Sequence, residues 1–239
     1  MWQAMRYFMP VPPTFPVIQK KSVLLFTVIF PVVAGMAAAQ SGTITGVVPL
    51  PKRPSGRIAV EKYTGTISGK VDPPPALKAG VWLEGPGTQP VAAPAKAVLA
   101  QQGYQFTDSL TIVQLGACVE FPNRDTEYHN IQSFSRVKRF DLGRYKKDET
   151  PVPVETFDKL GFVRLGCEIH DHMSAAILVV DTRWWTLTDT KGSFRLTGVA
   201  PGTYTLHAQV DEKTRWSVPI TVQVGKAITA GFTPSPTKP

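Results

Sequence analysis

Beyond residue 96 the chain reads as short apolar–polar alternations cut by glycine, proline and asparagine, the pattern of half-buried strands joined by tight turns. Tyr104–Phe106, Leu110–Val113 and Cys118–Phe121 are short strands. The turn Pro122-Asn123-Arg124-Asp125 and a loop carrying His129 follow. Val152–Phe157 and Phe162–Cys167 lead into a polar loop, and Ala175–Val180 leaves it. Such even spacing predicts an antiparallel β-sandwich over residues 96–181. No amphipathic helical run of useful length follows residue 40.

From residue 182 to 233 the pattern changes register. Thr188-Asp189-x-x-Gly192-x-Phe194-x-Leu196 is a turn and an alternating strand, and Val199-x-Pro201-Gly202-x-Tyr204-x-Leu206 repeats the device. Further strands fit Ser217–Val224 and Ile228–Phe232, with a frayed tail at 234–239. Upstream, Gly42-Thr43-Ile44-Thr45-Gly46-Val47-Val48 and Gly65-Thr66-Ile67-Ser68-Gly69-Lys70-Val71 are near copies, and both read as short strands with a glycine break. Pro49, Pro51, Pro54 and Gly56 make 40–63 read as a weakly structured lead-in, so the strand of interest is expected at Gly65–Val71. Ala79–Gly85 is another strand, and Pro90–Lys96 a linker.

Residues 1–39 change the picture of location. Lys20-Lys21 precede the apolar run Val23–Val33, and Ala37-Ala38-Ala39 ends it, the layout of a cleaved signal peptide. The run is short for a membrane span and Pro31 interrupts it, so no stable insertion is expected after cleavage. The protein is therefore expected to be periplasmic or secreted. Loss of Arg6, Lys20 and Lys21 lowers the net charge of +8 by three, leaving a mildly basic chain suited to an acidic protein partner or a membrane surface. No helix-turn-helix, zinc-finger or RNP pattern is present, which excludes nucleic acid as the expected partner. With 239 residues, 43% hydrophobic, the chain can bury one or two cores, and 22 Pro with 19 Gly favour strands and turns over helices.

The candidate chemistry lies in Gly166-Cys167-Glu168-Ile169-His170-Asp171-His172-Met173. A thiol, an imidazole and a thioether follow at three-residue steps, and His129 precedes them in Tyr128-His129-Asn130. Two His, one Cys and a weak Met make the donor set of a blue-copper electron-transfer site. Zinc fits less well, because Met is a poor zinc ligand. A nucleophilic Cys167 fits less well still, since two strands would box the thiol in. The plain alternatives are a buried thiol with surface imidazoles, or a Cys118–Cys167 disulfide. Parity opposes the disulfide: Cys167 shares a face with Val163 and Leu165, whereas Cys118 alternates with inward Val119 and Phe121.

These residues carry a resemblance. His129-Asn130 with Cys167-x-x-His170-x-x-Met173 resembles the cupredoxins, with ligand-loop spacing most like amicyanin. Phe106 to Asp181 resembles bacterial plastocyanin-like proteins of the methylamine-utilisation type, through Val119–Asp125, His129-Asn130-Ile131, Phe140-Asp141-Leu142-Gly143 with Tyr145, Cys167–His170 and Val179-Val180-Asp181. The resemblance implies a Greek-key sandwich holding one copper ion on His129, Cys167, His170 and a long axial Met173. It also implies that Asn130 ties the His129 loop to the ligand loop, and that the His170 edge is the electron exit. The sequence departs from the family at Asp171, usually Pro, and at Cys118. His172 is an extra imidazole and an alternative metal ligand. Asp171 and Glu168 add negative charge, which would favour Cu(II) and lower the potential.

The segments 64–95 and 182–233 resemble two parts of a carboxypeptidase regulatory-like, transthyretin-like sandwich with the copper domain inserted between them. Trp184, Trp185 and Trp216 are expected in its core or at the domain interface. The all-β chain is thus expected to be a non-enzymatic carrier of single electrons between redox proteins such as a dehydrogenase or c-type cytochrome. The basic run Arg136, Lys138, Arg139, Arg144, Lys146 and Lys147 is expected to be a solvated loop over 136–147, and a docking patch for an acidic partner. The alternative is a cell-envelope binding module that is metal-free or delivers copper.

Overall fold

The computed structural model describes residues 41–52, 70–90, 92 and 94–232. The expected signal segment and most of the strand expected at Gly65–Val71 lie outside the described residues. Seventeen strands occur among those described: β1 (Gly42–Val47), β2 (Gly80–Glu84), β3 (Ala97–Val98), β4 (Gln101–Gln102), β5 (Gln105–Phe106), β6 (Leu110–Gln114), β7 (Ala117–Glu120), β8 (His129–Phe134), β9 (Arg139–Tyr145), β10 (Val154–Phe157), β11 (Gly161–Gly166), β12 (Ser174–Val180), β13 (Trp185–Leu187), β14 (Ser193–Val199), β15 (Gly202–Gln209), β16 (Arg215–Val222) and β17 (Ala227–Gly231). No helix is found among the described residues.

β12 explains the layering. Its run Ala175 to Val180 is apolar at every position, as expected of a strand buried on both faces. Ala175, Ile177 and Val179 point into one core with Leu99, Phe121 and Ile131. Ala176, Leu178 and Val180 point into another with Leu110, Ile112 and Phe162. The first core fills the space between a five-stranded sheet, β6-β12-β11-β8-β9, and a three-stranded sheet, β10-β7-β3. The second lies on the outer face of the five-stranded sheet, where Trp82 of β2 covers it.

β2 is buried on both faces in turn. Val81 and Leu83 enter a third core with Ile44, Leu206 and Trp216, while Trp82 faces the five-stranded sheet. This third core lies between a sheet in the order β13-β2-β15-β16 and a sheet in the order β14-β1-β17. Strands on both sides of residues 97–180 therefore build one sandwich, β2 pairing antiparallel with β13 and β15. Trp184 and Trp216 sit in its core, whereas Trp185 is 36% exposed.

Three expectations are corrected. The start of the lead-in is not weakly structured: its short strand, β1, is the middle strand of a sheet, and Ile44 is fully buried. Its glycines are not breaks. A Cβ at Gly46 would collide with the Ala230 carbonyl and the Phe194 ring, so glycine is what lets the neighbours close in. Three of the sheets are mixed rather than antiparallel, since β12–β6, β1–β17 and β3–β7 pair in parallel. Alternation of side chains marks a strand's faces and says nothing of its direction. Finally, the basic run is a loop only in part: Arg136, Lys138, Lys146 and Lys147 lie in the connections on either side of β9, whereas Arg139 and Arg144 lie on β9 itself, an edge strand whose Phe140 and Leu142 pack on the first core.

The place of β1 gives a direct test. Ile44→Ala should destabilise the protein by about 2–5 kcal/mol in urea unfolding, the cost of a large-to-small change in a closed core. A frayed lead-in would show no measurable change.

Candidate metal centre

Two strand ends bring the donors together. β11 delivers Cys167 just past its last residue, and the parity that buries Val163 and Leu165 buries the thiol too. β8 opens with His129, which is fully buried, and pairs with β11 at Gln132 and Gly166. The loop after β11 turns tightly, the Met173 N–H donating to the His170 carbonyl at 2.9 Å. This folds His170 back over Cys167.

The resulting cluster is compact. His129 Nδ1 and His170 Nδ1 are 3.1 Å apart, and Cys167 Sγ is 3.7 Å from His170 Nδ1. Among the described residues these three side chains form a group whose ligand atoms lie within 4.8 Å of one another. Two nitrogens bound to one ion at about 2.0 Å would span a little over 3 Å at a near-tetrahedral angle, so the cluster fits a single ion. Met173 is 1% exposed and packs in the same core as Cys167. His172 lies outside the three-residue group, its ring 6.0 Å from that of His170 and its Nε2 3.0 Å from the Tyr104 carbonyl.

The surroundings prepare each donor. His129 Nε2 is 2.8 Å from Asp125 Oδ2. The carboxylate can only accept, so Nε2 carries a proton and Nδ1 is the nitrogen turned to the cluster. Asn130 joins the two loops: its N–H points at Cys167 Sγ at 3.5 Å, and its Oδ1 accepts from the Glu168 N–H at 3.1 Å. Asn130 is itself held by Asp141, 2.6 Å away. Tyr145 closes the floor, its hydroxyl donating to the Phe121 carbonyl at 2.8 Å. Both cysteines are free thiols, and Cys118 sits beside Thr156 Oγ1 at 3.3 Å, on the outward face.

Electrostatics follow from burial. Burial pushes the Cys167 thiol up; N–H groups of Asn130, Ile169 and His170 pull it down without cancelling the rise, and Glu168 adds to it. Burial, with His129 and His172 close by, lowers His170 to about 4. Burial alone would raise Asp125, but hydrogen bonds from the Tyr104 N–H, His129 and the Gly103 N–H bring it below its ordinary value. At neutral pH the site therefore offers His170 as a neutral imidazole and Cys167 as a thiol whose proton an incoming cation must displace.

Asp125 and Tyr104 were not among the residues expected at the site. Asp125 closes the Phe121–Asp125 run four residues before His129, which is a signal of sorts. Tyr104 has none, because only the tertiary fold brings it near.

No curated protein matches the chain. Residues 173–234 match the family model described as carboxypeptidase regulatory-like domain. Among solved structures, the chain is similar to a copper-containing nitrite reductase from Thermus scotoductus SA-01 at 24% identity, over 38% of this chain and 25% of that one, with a TM-score of 0.34. It is similar to a mutant amicyanin in its reduced Cu(I) form at pH 4, at 18% identity, over 42% of this chain and 98% of that one, with a TM-score of 0.33. It is also similar to a purple cupredoxin from Nitrosopumilus maritimus at 16% identity, over 35% and 99% of the two chains, with a TM-score of 0.30. The chain resembles a cupredoxin and a carboxypeptidase regulatory-like sandwich in one polypeptide. It spans a quarter of the nitrite reductase's length.

Two outcomes are expected. Asp125→Ala should weaken metal binding about 10–100-fold in competition with a chelator, because the His129 tautomer loses its anchor. In the metal-free protein, His170 titrates near 4 when folded against 6.5 as an ordinary side chain, so the unfolded chain binds more protons between these values. Urea midpoints should fall as pH drops from 6.5 to 4, with no contribution from this group at higher pH.

Proposed function

We propose that the protein is a periplasmic type 1 copper protein that carries single electrons, with His129, Cys167 and His170 as ligands and Met173 as a weak axial donor. The observation that carries this reading is the convergence of two Nδ1 atoms and one thiol sulfur within 4.8 Å, in a pocket where all three residues are buried. A bound copper ion would supply a one-electron couple, and thiolate with imidazole suits both of its oxidation states.

The chain's own residues do the rest. Asp125 fixes which His129 nitrogen faces the ion. Asn130 holds the ligand loop on the strand that carries His129, so the donor positions change little between oxidation states. Burial keeps water from the thiolate. The buried, closely supported site suits electron exchange rather than turnover of a substrate, and the donor set separates copper from structural zinc.

The basic residues around 136–147 are the proposed docking patch for an acidic redox partner, such as a c-type cytochrome or a dehydrogenase. Arg139 and Arg144 are exposed on β9, and Arg144 pairs with Glu168, next to Cys167, at 2.6 Å. The patch therefore reaches the ligand loop itself. Exposed charge of one sign steers association more than it tightens the complex.

Cu(II) added to the mature protein should give an intense blue colour that ascorbate bleaches and an oxidant restores. Cys167→Ser should abolish the colour, since the thiolate is its source. A colourless complex, or one that does not cycle, would reject the reading.

A further inference from the structure

Tyr104 holds a backbone conformation that side chains of its size avoid, with φ of 58°. Gly103 before it has φ of 62°, and the two form the tip of the β4–β5 hairpin. Such a tip needs positive φ at both central residues, which glycine or asparagine meets without strain. Keeping tyrosine there strains the backbone, and such strain persists only where the surroundings over-determine it.

The surroundings do so from two sides of the metal site. Asp125, which anchors His129, also accepts the Gly103 N–H at 2.8 Å and the Tyr104 N–H at 3.0 Å. His172, from the ligand loop, donates through Nε2 to the Tyr104 carbonyl at 3.0 Å. Behind the tip, the Asp72 N–H donates to the Gly103 carbonyl at 2.9 Å. The backbone so held aims the tyrosine ring at the two imidazoles. It stands edge-on to His129 at 5.6 Å and to His170 at 5.3 Å between ring centres. Tyr104 is 6% exposed and His170 9%.

We propose that Tyr104 is a shield over the metal site, kept at a strained hairpin tip so that its ring closes the approach to His129 and His170. Small anions are thereby denied the ion, and only electrons pass. The proposal rests on the copper reading above and sharpens it. A metal that binds substrate needs an open coordination position, and this ring is placed to deny one. It also alters the expected electron exit: the His170 edge meets a partner across Tyr104, not bare.

The test uses the wild-type protein, Tyr104→Gly and Tyr104→Phe. Glycine suits the backbone at this position, so its variant should fold; phenylalanine keeps the ring. In copper-loaded protein, azide should leave the visible spectra of wild type and Tyr104→Phe unchanged and shift that of Tyr104→Gly. In metal-free protein, diethylpyrocarbonate labelling of His170, mapped by mass spectrometry, should be about tenfold or more faster in Tyr104→Gly alone, as for a site released from local protection. Equal azide response or equal labelling in wild type and Tyr104→Gly would overturn the shield. If the wild type takes up copper without turning blue, the electron-carrier reading fails, while the labelling still decides the role of Tyr104.

Discussion

The structure depends on strands that are buried on both faces. β12 and β2 each send alternate side chains into different cores, and their contact through Trp82, Leu110, Ile112 and Leu178 fuses two sandwiches into one body. A strand of this kind must fit two close-packed cores at once, so packing on both faces sets its register. β11 lies directly beside β12, with Val163 opposite Ile177 and Gly166 opposite Ser174. The position of Cys167 is therefore inherited from the pairing of β11 with β12, not from the loop that follows it.

At the site the same economy is achieved by one carboxylate. Asp125 accepts from His129 and from two successive backbone N–H groups, so the His129 tautomer and the hairpin tip are fixed by a single side chain. Its own place is secured in turn, the Asp125 N–H donating to Asn123 Oδ1 at 2.8 Å. Asn123 Nδ2 also donates to the Tyr145 carbonyl at 2.9 Å, which ties this turn to β9, the strand that pairs with His129. Each polar group in the chain of contacts has a partner, which is what allows so many of them to be buried around a metal-type cluster.

Much of this was legible in the residues. Alternation located most strands, and parity correctly turned Cys167 inward and Cys118 outward. The spacing of Cys167, His170 and Met173 marked the loop before any geometry was known. What alternation does not encode is which strands pair and in which direction, so the parallel pairs went unread. The two similar segments at 42 and 65 have nearly equal claims on sequence alone. The first is placed by its partners β14 and β17, through contacts such as Gly46 beneath the Phe194 ring. Tyr104 stayed invisible for a related reason: its importance lies in a backbone torsion and in contacts with residues 125 and 172, none of which leave a local pattern.

The pairing of β1 with β17 has a consequence for how the chain assembles. Thr43 lies against Ala227, so the first and last described strands are zipped together while everything between them forms a closed circuit. A polypeptide emerging from its N-terminal side cannot complete this junction until its final strand is available. Such long-separation pairing carries a high loop-closure cost and folds slowly. The unit that holds the thiol–imidazole cluster, whose strands all lie between residues 97 and 180, needs no such wait. Its pocket can form while the enclosing sandwich is still open, and the late clasp then fastens both ends of the finished unit.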